Sequence, residues 1–96
     1  MSCPITVHVN FYGVLREMTG KKSDQIVLES TSLKDLLTIL IRTHENALKS
    51  LSTTVENFSS QFSIFVNRLV VPSEKIHEVA LKQGDEIDLF TPVSGG

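Results

Sequence analysis

The chain has 96 residues, 41% hydrophobic and 21% charged, enough for one self-supporting core and too few for two. Nine Lys and Arg against eleven Asp and Glu give a net charge of -2, which excludes the basic excess that a nucleic acid or a polybasic membrane contact requires. A single cysteine, a longest apolar run of only Leu36 to Ile41 with Thr38 inside it, and no leader pattern at Met1-Ser2-Cys3-Pro4 predict a cytoplasmic protein without a membrane span.

Ile5, Val7, Val9 and Phe11 alternate with Thr6, His8 and Asn10, the period of a strand with one face on a core. Gly13 ends it. Val14 to Gly20 has room for about one and a half helical turns, and Asp24 to Glu29 reads as a second strand able to pair antiparallel with the first. Ser32 with Asp35 three residues on resembles a capping box, and Leu33, Leu36, Leu37, Leu40 and Ile41 form one apolar stripe, so a helix is expected from about 33 to 45. Residues 48 to 61, rich in Ser and Thr, predict a long connection. Phe62 to Val71 is rich in β-branched and aromatic residues and predicts a central strand that bends near Asn67-Arg68. Ile76 to Leu81 reads as a connector, Gln83-Gly84-Asp85 as a turn, and Glu86 to Phe90 as a last alternating strand. One amphipathic helix and this strand order predict an α+β fold, a mixed sheet packed on the helix in the ubiquitin-like β-grasp arrangement. Residues 1–91 are expected to form that domain and 92–96 a flexible tail.

Catalytic constellations are scarce. His8, His44 and His77 have no cysteine at metal-ligand spacing, and His44 in the last helical turn reads as a cation suited to the helix dipole. Cys3 has no nearby base, Ser59-Ser60 lacks a nucleophile-elbow context, and no Gly-rich phosphate loop is present. Asp85, Glu86 and Asp88 read as a solvated acidic turn and strand face.

The end of the chain differs. Two terminal glycines arise by chance in about 0.5% of proteins, and here they follow a domain directly, with Pro92 stiffening the exit. Residues without side chains let a terminal carboxylate enter a narrow channel of another protein. Once activated as an acyl-adenylate, the Gly96 carbonyl could accept sulfur or form an amide. Strand parity also puts Tyr12 with His8 and Asn10, and Phe90 with Glu86 and Asp88, on the outward sheet face, with Phe65 extending the pair, which suggests a docking patch. Residues 74–96 carry a balance of -3, suited to a basic partner surface.

Phe11 to Gly20, Val66-Asn67, Leu81 to Ile87 and Phe90 to Gly96 together resemble the MoaD/ThiS family of sulfur carriers, most closely its molybdopterin synthase small subunits. That resemblance implies a β-grasp carrier that is no enzyme by itself and binds no cofactor. Gly96 would be adenylated by a ubiquitin-activating-like adenylyltransferase that consumes ATP, then thiocarboxylated from a sulfur donor protein. Pro92, Val93, Ser94, Gly95 and Gly96 would insert into the large synthase subunit, with Phe90 and Tyr12 at the partner interface. Sulfur would pass to a cyclic pyranopterin precursor of the molybdenum cofactor. Two alternatives stay open: a ubiquitin-like modifier joined to lysines through Gly96, and a carrier for thiazole synthesis or tRNA thiolation.

Overall fold

The computed structural model describes residues 4–45, 54 and 62–90. The strands are β1 (Ile5–Phe11), β2 (Ser23–Leu28), β3 (Ser63–Val66), β4 (Leu69–Val71) and β5 (Glu86–Phe90); the helices are α1 (Val14–Thr19) and α2 (Leu33–Thr43). A 3-10 helix covers Ser73–Glu78, and its last residues overlap the stretch from Ile76 that the sequence predicted as a plain connector. The five strands form one sheet in the order β2-β1-β5-β3-β4, with β1 and β5 parallel and every other pair antiparallel. This is the β-grasp arrangement, with α2 laid across one face.

The alternation of β1 has the expected outcome. Val7, Val9 and Phe11 are buried, and they meet Ile26 and Leu28 of β2, Ile64 of β3, and Ile87 and Leu89 of β5 in one core. The helix closes that core with Leu33, Leu36, Leu37 and Leu40, while Ile41 at the edge of the stripe is half-buried. The Ser32 hydroxyl caps the helix by accepting from the Asp35 N–H at 3.3 Å. The reciprocal half of a capping box is absent, because the Asp35 carboxylate accepts from the Ser30 hydroxyl at 2.6 Å instead.

Three expectations need correction. Residues 62 to 71 do not make one bent central strand: β3 and β4 form a hairpin around Asn67 and Arg68, whose φ angles of 51° and 71° are those of a two-residue type I′ turn. The position at the sheet centre belongs to β5. Asp85 is also not part of a solvated acidic face. It is 8% exposed, and its carboxylate accepts from the Asn67 side-chain amide at 3.0 Å and from the Lys82 N–H at 2.8 Å. Nor is His44 a cation at the helix terminus. It ends α2 as the C-cap, its ring meets Phe11 edge-on at 5.7 Å, and its Nε2 is buried with no hydrogen-bond partner among the described residues. Burial lowers its pKa below the usual 6.5, the Lys21 charge adds to this and Asp24 opposes it, so the neutral ring is favoured.

Among the described residues no helix is long and apolar enough to cross a membrane. The connection expected at 48–61 lies outside the described residues, apart from Thr54, which sits in a bend.

Candidate functional site

The C-terminal ends of the parallel pair β1 and β5 lie side by side, Phe11 opposite Leu89, so the residues that follow them on the outward face are neighbours. Tyr12 extends β1 by donating its N–H to the Leu89 carbonyl at 3.1 Å. Its ring then stacks on Phe90, 4.3 Å between centroids and 6° from parallel. Phe65, reaching across from β3, meets the other side of Phe90 edge-on at 5.3 Å and 77°. The outward aromatics that parity predicted are therefore one row.

Arg16 completes the row and was not foreseen. Gly13 turns the chain at φ 62° and ψ -135°, a conformation open to glycine and strained for other residues, which starts α1 immediately beyond Tyr12. One turn later Arg16 swings back, donates from Nε to the Phe11 carbonyl at 3.1 Å, and sets its guanidinium 5.5 Å from the Tyr12 ring centre. A basic residue one helical turn after a strand-ending aromatic and glycine is the signal that could have found it.

On the β1 and β5 side of the row, Asn10 bridges two carboxylates, donating from Nδ2 to Asp88 Oδ1 at 2.8 Å and Glu86 Oε2 at 3.2 Å. The row thus has a cation at one end, Arg16, and a carboxylate pair, Glu86 and Asp88, along its side. Val70, opposite Phe65 in β4, adds an exposed aliphatic beyond its far end, 61% accessible. Such a face can dock an apolar surface and orient it by charge, while among the described residues no nucleophile and base are brought together in it. His8 shares the outward face, 3.2 Å from the Gln25 amide, and His77 is exposed on the 3-10 turn. Among the described residues no group of three or more His, Cys, Asp or Glu gathers as metal ligands.

The start of β5 is fixed by the buried Asp85. Asn67 is the other half of this lock: it donates its N–H to the Glu86 carbonyl at 2.7 Å, and its side-chain oxygen accepts from the Glu86 N–H at 3.0 Å. The β3–β4 turn is therefore bolted to the strand that carries Phe90. Pro92, Val93, Ser94, Gly95 and Gly96, the predicted tail, lie outside the described residues, as do Cys3, Ser59 and Ser60.

The profile of the ThiS family matches residues 9–96. No curated protein matches the chain in sequence. Among solved structures, the small archaeal modifier protein 1 of Methanosarcina acetivorans is similar at a TM-score of 0.74 and 24% identity, covering 99% of this chain and 100% of that one. The crystal structure of SAMP1 from Haloferax volcanii is similar at 0.76 and 24%, covering 95% and 99%. Subunit 1 in the complex of subunits 1 and 2 of the Helicobacter pylori molybdopterin-converting factor is similar at 0.60 and 26%, covering 96% and 100%.

Proposed function

The chain belongs to the ThiS family of ubiquitin-like sulfur carriers, and on that premise we propose that it is the small, sulfur-carrying subunit of a molybdopterin synthase. The observation that carries the reading is the row Arg16-Tyr12-Phe90-Phe65, built at the end of the strand whose next six residues finish in Gly95-Gly96. A docking face next to an unbranched terminus suits a protein whose reactive atoms are its own last carbonyl. Its catalytic groups then lie in partners.

In this scheme a ubiquitin-activating-like adenylyltransferase uses ATP to convert the Gly96 carboxylate to an acyl-adenylate, releasing pyrophosphate. The terminal sulfur of a persulfide on a sulfur donor protein displaces AMP, and a thiol then reduces the acyl disulfide to leave a thiocarboxylate. Pro92, Val93, Ser94, Gly95 and Gly96 enter the large synthase subunit, and sulfur passes to a cyclic pyranopterin. Tyr12 and Phe90 hold the partner outside the channel. The complex of subunits 1 and 2 in the Helicobacter pylori protein supports a large-subunit partner. The setting is cytoplasmic, with neither nucleic acid nor membrane as a partner.

Intact-mass analysis tests this after incubation with the adenylyltransferase, ATP and a persulfide donor. The expected product has one oxygen replaced by sulfur; an unchanged mass, under conditions that load an authentic carrier, refutes the reading. A second reading, conjugation of Gly96 to lysine amines, is favoured by the likeness to two archaeal modifier proteins. Gly96-dependent conjugates of higher mass in cells, without thiocarboxylate formation, would establish it instead.

A further inference from the structure

A second surface lies at the β2 edge of the sheet, beside α2. The strand β2 is an edge of the sheet, so half of its backbone groups have no ladder partner. Hydrogen-bond parity identifies that half. Phe11 donates to the Lys22 carbonyl at 2.8 Å, and in an antiparallel pair the bonded positions alternate, so Asp24, Ile26 and Leu28 face β1. Ser23, Gln25 and Val27 therefore direct their N–H and C=O groups outward, and Glu29 follows just past the end of the strand.

These outward groups are not equally available. Gln25 gives its N–H to the side chain of Asp24 at 2.9 Å, and Asp24 in turn is paired with Lys21 at 3.3 Å, so the first half of the edge is blocked by its own side chains. At Val27 and Glu29 no such cover exists among the described residues. Beside this open half lies a groove of about 530 Å³ between β2 and α2. Ile39 gives it a half-buried aliphatic wall, Leu28 beneath is fully buried, and Val27 at its rim, whose side chain alternates onto the outward sheet face, is 63% exposed. Its charged lining is wholly acidic: Glu29 and Asp35 border it, no cation lines it, and neither carboxylate has a salt-bridge partner among the described residues.

We propose that the open half of β2 and the groove beside α2 form a docking site for an extended segment of a partner protein carrying aliphatic and basic side chains. The backbone of that segment would add a strand to the sheet through the N–H and C=O groups of Val27 and Glu29. An aliphatic side chain would lie against Ile39, and Lys or Arg would meet Glu29 and Asp35. Charge decides among occupants. A second copy of this chain, paired β2 to β2 across the open half at Val27, would bring Glu29 no cation, whereas a basic segment complements both Glu29 and Asp35. This site is independent of the sulfur-carrier reading, because it uses neither Gly96 nor the aromatic row.

The test uses the full-length chain and a blocked synthetic peptide of alternating Val and Lys, followed by amide NMR and hydrogen exchange. Binding is expected to shift and protect the Val27 and Glu29 amides, and the peptide with Glu in place of Lys should bind about tenfold or more weakly. The double variant Glu29→Lys, Asp35→Lys should invert that preference. Val27→Pro, which removes an outward N–H and no ladder bond, should weaken binding while thermal unfolding confirms the fold. The proposal is overturned if the shifts map to Tyr12 and Phe90, or if charge has no effect. It is equally overturned if Val27 and Glu29 amides are already protected in the free chain, by another segment of it or by a second copy at high concentration.

Discussion

Tyr12 and Phe90, 78 residues apart in the chain, lie with their rings 4.3 Å apart and nearly parallel, because the strands they end are parallel neighbours. The stack is built on the outward face, so its contribution to folding is modest. A double-mutant cycle of Tyr12→Ala and Phe90→Ala, read by urea unfolding, should give a coupling of about 0.5–1.5 kcal/mol.

The larger effect of the same residue should appear in partner binding. For Phe90→Ala, calorimetric titration with the partner proposed above, a large synthase subunit, should show affinity falling about 30-fold, the loss typical of a central aromatic anchor, with the fold retained. An unchanged dissociation constant would remove the aromatic row from the interface.

Replacing Asp85 with Ala leaves the Asn67 amide and the Lys82 N–H without their acceptor in a buried setting. Urea denaturation should report a loss of about 2–3 kcal/mol, because both bonds are to a charged group. Asp85→Asn keeps one acceptor oxygen and should lose less.

Arg68 holds φ at 71° in the type I′ turn, where a side chain is strained. Arg68→Gly should raise stability by about 0.5–1 kcal/mol despite the extra freedom of glycine in the unfolded chain. A melting temperature that falls would show that the Arg68 side chain makes a contact worth more than the strain.

His44 sets a pH dependence whose sign follows from its lowered pKa. Between the folded value and the ordinary value of 6.5 the unfolded chain binds more protons. Stability is therefore full above that ordinary value and is lost as pH falls through it towards the folded pKa. Urea unfolding at several pH values should show this decline on the acid side. His44→Phe, which keeps a ring against Phe11 and removes the buried nitrogen, should flatten that part of the curve.

Periodic segments were legible in the sequence and single polar residues were not. The alternation of Ile5 to Phe11 and the leucine stripe of 33 to 40 fix which face is buried, and parity then places Tyr12, Phe65 and Phe90 outward together. The β3–β4 hairpin was hidden because its turn reads Asn-Arg, without the glycine that usually marks a type I′ turn. Asp85 was misread because nothing local distinguishes a carboxylate that caps a turn and clamps Asn67 from one that faces water. His44 was misread for a related reason, since the helix dipole is a local cue, whereas its burial against Phe11 depends on a strand 33 residues earlier.

The central place of β5 has a mechanical consequence. A force applied beyond Phe90 would pull along a strand laced on both sides, to β1 and to β3. Those two ladders would be loaded in shear, all rungs together, where an edge strand would unzip one rung at a time. A partner could therefore haul its cargo in and let it go repeatedly without peeling the carrier apart.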